Sequence, residues 1–530
     1  MTAATTNSYD EVPYTSFPFP DTHPDRLATI GRLFGLSPKD ISQCRVLELG
    51  CSTGGNIMPM AELLPDSTFL GVDLSQRQVA AGQQMLAELK LKNIELRHAS
   101  ITNVDESYGK FDYIICHGVY SWVPDAVQSK IMSICKENLN PAGIAYISYN
   151  TLPGWHMRGM VRDMMRYHAN RFGDAPTRIG QARALLDFLV KASGDVNNAY
   201  TSLLKGEVEL LKQCQDWYLF HEHLEEINSP IYFYQFVERA NAHGLKFLGE
   251  AHVKSMVPGN YPPEVEEVLQ RLSNDIIHIE QYMDFLRNRT FRQSLLCQAD
   301  QKPQYGIDPI RLRGLHIASA LRPNSPKPDL ATTAAEKFQT PFQPNTVTVT
   351  DPLPKHAIMI LAEAWPRTLP FEHVVREARQ RLTPALKGDA AAVTRDEQTL
   401  GRMFLQFLTS PVDRLVEVRS RPLPIAREPG DRPKTTKLAR LQAQRGVPAV
   451  GLKHEMATLG QFEAEILQRL DGLRDRTRLV DALMGVVNEG KLTVSIDNKP
   501  MTDPAQLRAA VGQGLDLALK RFADLAYLVE

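Results

Sequence analysis

The sequence predicts an α/β fold with three parts: a parallel sheet covered by helices, a helical insertion or middle domain, and a C-terminal winged-helix-like α+β domain. Three patterns predict these parts. Strand and helix segments alternate over residues 44–150, helical periodicity dominates 156–212, and residues 460–500 read helix, turn, helix and strand. The 530 residues are enough for three or four domains.

The composition excludes several classes of protein. Hydrophobic residues make up 43% and charged residues 23%, so wholesale disorder is not expected. The 60 basic and 61 acidic side chains give a net charge of -1, which argues against a nucleic-acid partner. No apolar run reaches about 18 residues and no basic-then-apolar signal begins the chain, so we expect a cytoplasmic protein without a membrane partner. The six cysteines contain no CxxC pair, so we expect neither a disulfide scaffold nor a cysteine-based zinc site.

The first elements follow in order along the chain. The first forty residues are rich in Pro, Thr and Tyr and predict an extended arm that leads into a short helix at 26–34. Five compact apolar runs then predict strands buried on both faces. They are CRVLELG, STFLGVD, NIELRH, KFDYIICHG and IAYISYN, and helices are expected between them at 57–64, 76–89 and 126–138. Short connections between these segments are typical of a parallel sheet.

The region after Trp155 allows two interpretations. Residues 156–212 look helical, and QFVERANAHGLKFLGEAHV then reads as a helix, a glycine stop and a strand. A further strand is expected near Phe291, in TFRQSLLCQ. Either these two strands complete the same sheet around a helical insertion, or the region is an independent helical module.

The strongest chemical signal is VLELGCSTG at 46–54, where a strand ends in a glycine turn before a helix. Glycines let the backbone approach a ligand closely and adopt a positive φ. About twenty residues later Asp73 ends the second strand, where a carboxylate accepts hydrogen bonds from ribose hydroxyls. The two segments together predict a site for a nucleoside.

Glu48 narrows the choice of ligand. A dinucleotide site needs G-x-G-x-x-G, but Ser52 replaces its second glycine, and the charge of Glu48 favours a cationic amine over a pyrophosphate. This stretch resembles the class I S-adenosylmethionine-dependent methyltransferases, whose pattern is a strand, E/D-x-G-x-G-x-G and a second strand that ends in an acid. Ser52 departs from the middle glycine of that pattern. The resemblance implies a Rossmann-like sheet and S-adenosyl-L-methionine as the cofactor.

Further site residues are expected at the carboxyl ends of the strands, where open parallel sheets bind ligands. The aromatic side chains there could attract a sulfonium or ammonium group, and Tyr120 or His117 could align an acceptor amine or relay its proton. The predicted cofactor-binding residues are Glu48, Gly50, Ser52, Gly54, Asp73, Leu74, Ser100, Ile101 and His117. The predicted catalytic residues are Tyr120, His117 and Asn150, and the predicted substrate contacts are Trp122, Tyr149 and Trp155.

A closer resemblance rests on the stretches 9–24, 117–124 and 281–292. They look like the bacterial methyltransferases that carry a methyltransferase regulatory domain, a group that includes protein-lysine methyltransferases acting on outer-membrane proteins of intracellular bacteria. The resemblance implies a lysine ε-amine on a protein substrate. A small-molecule methyltransferase and a non-catalytic cofactor-sensing regulator remain the alternatives. The segment FHEHLEEIN at 220–228 is interpreted as a polar segment packing against the acceptor cleft rather than as a metal site.

These patterns predict five parts of the chain. They are an N-terminal arm (1–40), an S-adenosylmethionine-binding methyltransferase core (41–155), a helical insertion and regulatory region (156–320), a linker rich in Pro and Thr (321–356), and a C-terminal winged-helix-like domain (357–530). We expect the last to recruit a protein partner or to form a homodimer.

Overall fold

The computed structural model describes residues 11–530 except 13, 15, 195–197, 383–389, 494, 497, 498 and 502. Part of the closer resemblance rests on the stretch 9–24. Residues 9, 10, 13 and 15 of that stretch lie outside the described residues. Of the helices in the described part of the chain, none has both the length and the apolar character needed to cross a membrane.

Seven strands form one sheet in the order β3-β2-β1-β4-β5-β7-β6. They are β1 (Arg45–Leu49), β2 (Thr68–Asp73), β3 (Ile94–His98), β4 (Phe111–Cys116), β5 (Leu139–Asn150), β6 (Leu245–Glu250) and β7 (Phe291–Gln298). The first five strands pair in parallel, and β7 is antiparallel to both β5 and β6. The two strands after the helical region therefore lie in the same sheet as the first five.

Eleven α-helices accompany these strands in the described part of the first 300 residues. They are α1 (Pro24–Leu33), α2 (Ile57–Leu63), α3 (Gln76–Leu89), α4 (Asp125–Asn138), α5 (Gly154–Ala169), α6 (Ala175–Ser193), α7 (Ala199–Gln213), α8 (Asp216–Leu219), α9 (Phe233–Ala242), α10 (Pro263–Leu272) and α11 (Ile276–Arg287). A π-helical turn, Phe220–Leu224, continues α8. Helices α5 to α8 share an apolar core that is separate from the core around the sheet.

A buried charge network ties β6 and β7 to α11. The Arg292 guanidinium is fully buried and lies 2.8 Å from carboxylate oxygens of Glu250 and Asp284, and 3.0 Å from one of Glu280. Arg289 adds a 2.9 Å bond to Glu250. Buried charges persist only when they are paired and hydrogen-bonded, so this network anchors the two last strands of the sheet to their helix.

The segment 321–356, expected to be a linker, is folded. It contains β9 (Arg322–Pro323), β10 (Glu336–Gln339) and β11 (Thr346–Val349), which form a small antiparallel sheet. Phe338 on β10 is fully buried, and the Lys355 ammonium donates to three backbone carbonyls of the segment. One aromatic anchor and the Val-Thr alternation thus order a stretch whose Pro and Thr content resembles that of a linker.

The rest of the described chain has two main apolar cores and two smaller apolar clusters. The first belongs mainly to α12 (Pro352–Ala364), α13 (Phe371–Leu382) and α14 (Ala390–Thr409), with strands β8 (His316–Ala318), β12 (Leu369–Pro370) and β13 (Glu417–Arg419). The second belongs to α15 (Lys437–Gln444), α16 (Gln461–Leu467), α17 (Arg476–Asn488) and α18 (Pro504–Asp524), with the strand pair β14 (Ala449–Val450) and β15 (Met456–Ala457). Another short antiparallel pair, β16 (Ser495–Ile496) and β17 (Lys499–Pro500), lies between α17 and α18 in the sequence. Helices α16 and α17 flank the predicted turn at Asp471.

Candidate active site

A cavity of about 600 Å³ opens at the carboxyl ends of β1, β2, β4 and β5. This is the edge at which open parallel sheets bind ligands, and the volume lies within the range of small-molecule sites. Most of the predicted site residues line it together. They are Glu48, Gly50, Ser52, Asp73, Leu74, Ser100, Ile101, His117, Trp122, Asn150 and Trp155.

The turn after β1 is built by left-handed backbone. Gly50 has φ +78°, and a Cβ at this position would collide with the side chain of Val119. Ser52 also lies in the left-handed region, at φ +50°, although it is not a glycine. The backbone N–H of Gly50 donates to the Val72 carbonyl at 2.8 Å, which holds the turn against β2. Gly54 does not line the cavity and packs instead against Leu96.

Asp73 joins this turn to the end of β2. Its carboxylate accepts hydrogen bonds from the backbone N–H of Ser52 at 2.7 Å and of Ser75 at 2.8 Å. The position of the carboxylate at the cavity wall is therefore fixed by backbone donors. A carboxylate held in this way can accept further bonds, because each oxygen has more than one lone pair.

Glu48 supplies a second, more deeply buried carboxylate. Its Oε1 accepts a hydrogen bond of 2.7 Å from the Asn56 amide, whereas its Oε2 has no partner among the described residues. Burial, with a smaller contribution from the charge of Asp73, raises the pKa of Glu48 to about 8. A cation that paired with Oε2 would remove this penalty. The two carboxylates and the close backbone approach at Gly50 thus fit a cationic, phosphate-free nucleoside such as S-adenosyl-L-methionine.

The ends of β3 and β4 complete this half of the cavity. Ser100 and Ile101 follow β3, and the Ser100 hydroxyl bonds to Thr102 at 2.7 Å. The His117 ring follows β4, and its centroid lies 3.8 Å from that of the Phe19 ring, with the two rings tilted by 33°. Its Nδ1 lies 2.8 Å from the Tyr146 hydroxyl. Burial lowers the pKa of His117 to about 4, so the ring is neutral near pH 7.

The other half of the cavity is aromatic. The rings of Trp122 and Trp155 lie 6.2 Å apart at an angle of 82°, an edge-to-face arrangement. Asn150 lines the cavity at the end of β5, where its Nδ2 donates to Asn228 Oδ1 at 2.9 Å. Such ring faces and fixed amides suit a ligand that is apolar along its length and polar at its tip.

Besides Gly54, two further predicted residues do not line the cavity. Tyr120 is about 1% exposed and packs edge-to-face against Tyr149 and Phe236. Tyr149 stacks on Phe236 at 4.0 Å, and its hydroxyl lies 3.0 Å from that of Ser294. Tyr149 is buried because its side chain points to the face of the sheet opposite that of Asn150, and Tyr120 packs with it against Phe236.

Several lining residues come from outside the predicted core. The arm contributes Tyr14, Ser16 and Phe19, and Ser16 Oγ accepts a hydrogen bond from the Gly55 N–H at 2.9 Å. An extended arm has no periodicity that would mark such residues. Their aromatic content and the resemblance over 9–24 are the signals that could have pointed to them.

The helical region supplies the remaining wall through Arg158, Tyr218 and Glu222. Arg158 lies 3.5 Å from a Glu207 oxygen and over the Trp155 ring at 5.3 Å. Glu222 sits on the π-helical turn, and burial raises its pKa to about 7 although Arg158 opposes the shift. In the part of the chain that the structure describes, no cluster of three or more His, Cys, Asp or Glu residues could hold a metal ion. The segment 220–228 instead forms part of the cavity wall.

Family models match three parts of the chain. A methyltransferase domain covers residues 40–218, a predicted methyltransferase regulatory domain covers 215–298, and a PKMT C-terminal winged helix domain covers 431–527. The winged-helix prediction is thereby confirmed for the last of these segments.

Relatives align along the whole chain. An uncharacterized protein of Rickettsia prowazekii is 36% identical over 534 aligned residues, which span 100% of this chain and 95% of the relative. The structure of PKMT2 from Rickettsia typhi in complex with AdoHcy is 35% identical, with a TM-score of 0.86 and coverage of 98% of this chain and 100% of that one. A second structure of PKMT2 from Rickettsia typhi is 33% identical, with a TM-score of 0.87 and the same coverage. The chain therefore belongs to the family of class I S-adenosylmethionine-dependent methyltransferases that combine a methyltransferase domain with a regulatory domain and a PKMT-type C-terminal winged helix domain.

Proposed function

We propose that this methyltransferase acts on the ε-amine of a lysine side chain in a protein. The observation that carries the proposal is a single cavity in which two carboxylates, Glu48 and Asp73, lie at the cofactor end and Trp122, Trp155 and Glu222 line the other part of the wall. An aliphatic stem between ring faces with a carboxylate near its tip matches the chemistry of a lysine.

The two carboxylates at one end of the cavity are assigned to the cofactor, because their charge suits its amino group and ribose hydroxyls. Glu48 and Asp73 would hold the amino group and the ribose hydroxyls of S-adenosyl-L-methionine, and Ile101 would pack on its purine. The other proposed cofactor contacts are Gly50, Ser52, Leu74, Ser100 and His117. When bound, the cofactor supplies a methyl group on a positively charged sulfur, and the protein has to align the acceptor with it.

The acceptor end must deliver an unprotonated amine, because an ammonium has no lone pair with which to attack. Glu222 lines the cavity, and its raised pKa of about 7 suits a group that takes a proton near neutral pH. His117, whose pKa is lowered to about 4, holds a proton far less readily. We therefore assign proton acceptance to Glu222, amine alignment to Asn150, and contact with the lysine stem to Trp122 and Trp155.

The relatives support a protein acceptor. PKMT2 of Rickettsia typhi and the matching winged helix domain both carry the abbreviation used for protein-lysine methyltransferases. The large accessory mass after the methyltransferase domain also favours a macromolecular acceptor over a small molecule.

A methyl-transfer assay tests the proposal. Purified protein is incubated with dialysed cell lysate and with its small-molecule fraction, each with methyl-labelled cofactor, and labelled bands are digested and analysed by mass spectrometry. We expect label on lysine in a protein band, and its loss with an Asp73→Ala variant as a control for contaminating activity. Label confined to the small-molecule fraction would support a biosynthetic enzyme, and absence of label in both would support a cofactor-sensing regulator.

A further inference from the structure

One side chain of the C-terminal winged helix unit, His454, contacts Asn56, a residue that lines the cofactor end of the cavity. His454 lies at the tip of the hairpin between β14 and β15, where the N–H of Gly451 donates to the Glu455 carbonyl at 2.8 Å. The His454 backbone is left-handed, with φ +63°, a conformation that non-glycine residues adopt rarely. The side chain is about 2% exposed, and its Nε2 lies 3.0 Å from Asn56 Oδ1.

The hydrogen bonds around Asn56 fix the orientation of its amide. The Phe19 N–H, which can only donate, lies 2.9 Å from Oδ1, so Oδ1 must face Phe19 and His454. The amide Nδ2 then donates to Thr22 Oγ1 at 2.9 Å and to Glu48 Oε1 at 2.7 Å. Since Oδ1 can only accept, His454 carries its proton on Nε2. Its Nδ1 has no partner among the described residues, as this tautomer allows.

Asn56 is the N-cap residue of α2. At this position the side chain of an asparagine commonly accepts a hydrogen bond from a backbone N–H of the first turn, but the Asn56 side chain makes no such bond. The amide is used instead to connect His454 to Glu48. Helix α2 is held by the same unit at its other end, where Glu62 accepts from the N–H groups of Lys437 and Leu438 at 2.6 and 3.0 Å.

We propose that His454 is a positioning residue for the cofactor: through Asn56 it orients the Glu48 carboxylate that receives the cofactor's amino group. The winged helix unit is then part of the cofactor site of its own chain, in addition to any role in partner binding. The inference rests on the assignment of Glu48 to the cofactor.

The test is cofactor affinity, measured by calorimetry with S-adenosyl-L-methionine on the full chain. In His454→Ala the oxygen of the Asn56 amide loses one of its hydrogen-bond donors, and we expect the dissociation constant to rise about 5-fold, the effect of one hydrogen bond. His454→Gln retains an N–H donor and should restore most of the affinity. Leu483→Ala, which truncates a buried side chain of α17, should lower the melting temperature while the dissociation constant stays unchanged.

A double-mutant cycle tests separately whether Glu48 binds the cofactor and whether His454 positions Glu48. In a Glu48→Gln background, His454→Ala should have no further effect on affinity, because the two residues act through one pathway. If Glu48→Gln alone leaves affinity unchanged, the site assignment fails. The role of His454 is refuted if Glu48→Gln weakens binding while a folded His454→Ala variant binds the cofactor as the wild type does. It is also refuted if Leu483→Ala weakens binding as much as His454→Ala does.

Discussion

The raised pKa of Glu48 predicts that binding of the cofactor releases a proton. With a pKa of about 8, the free enzyme holds a proton on Glu48 in about 90% of molecules at pH 7. An ammonium group placed against Oε2 favours the ionised carboxylate, so this proton must leave when the cofactor binds. We therefore expect Glu48 to release about 0.9 proton at pH 7. We also expect the dissociation constant to rise about 10-fold for each unit by which the pH falls below 8, because binding then has to displace a more tightly held proton.

Calorimetry in buffers with different ionisation enthalpies counts this proton directly. Glu48→Gln serves as the matched control, because the α-amino group of the ligand titrates in the same way with both proteins. The variant should show about 0.9 fewer protons released at pH 7, and its affinity should be about 30-fold lower, the equivalent of roughly 2 kcal/mol for a hydrogen bond to a charged group. Equal proton release by the two proteins would show that Glu48 does not ionise on binding.

The same pKa sets the sign of a stability effect in the free protein. Between its usual pKa of 4.5 and about 8, the folded protein holds a proton on Glu48 that the unfolded chain has lost. The stability of the wild type should therefore fall, relative to Glu48→Gln, as the pH rises through this window. Melting temperatures of the two proteins at pH 5 and pH 8 measure this difference, and a gap that does not widen would contradict the burial argument.

Three further predictions concern other residues. Arg292→Met leaves three buried carboxylates without their central partner and should lower the free energy of unfolding by about 3–5 kcal/mol in urea titrations. Arg313→Met, which removes a half-exposed guanidinium from its pair with Glu397, should cost under about 1 kcal/mol, and equal losses would refute the network. Tyr120→Phe should keep the wild-type kcat on the protein acceptor, because the hydroxyl lies outside the cavity, and a large loss of kcat would return it to the mechanism. Glu222→Gln should lower kcat about 100-fold and remove the decline in rate that we expect in the wild type below about pH 7; a variant that retains this decline would exclude Glu222 as the proton acceptor.

The residues nearest to the strand ends could be predicted from the sequence. Glu48 and Asp73 lie in one cavity because parallel strands present their carboxyl ends at the same edge of a sheet. The turn at Gly50 follows from the need for left-handed backbone next to a close neighbour, Val119. These inferences need only local patterns and the rules of parallel sheets.

The face of the sheet to which each side chain points was harder to predict. Asn150 and Tyr149 are adjacent on β5, yet Asn150 lines the cavity while Tyr149 is buried against Phe236. Successive residues of a strand point to opposite faces, so an error of one residue moves a side chain out of the site. We predicted Tyr120 near the acceptor because it follows the end of β4 closely in the sequence, but its ring packs behind the cavity.

Contacts between distant parts of the chain leave no local signal. His454 reaches Asn56 across 398 residues of sequence, and Glu222 enters the wall from a π-helical turn that no periodicity marks. In the segment 321–356, the buried Phe338 and the strand pair β10 and β11 form a folded unit, although the average composition of the segment resembles that of a linker. Tertiary packing decides each of these cases.

The most direct test of the account is a crystal structure of the protein grown with S-adenosylhomocysteine, the product form of the cofactor. We predict electron density for the nucleoside at the tips of β1 and β2, with its ribose hydroxyls beside Asp73 and its amino group beside Glu48. Density at any other site, or a ligand in this cavity that touches neither carboxylate, would contradict the account.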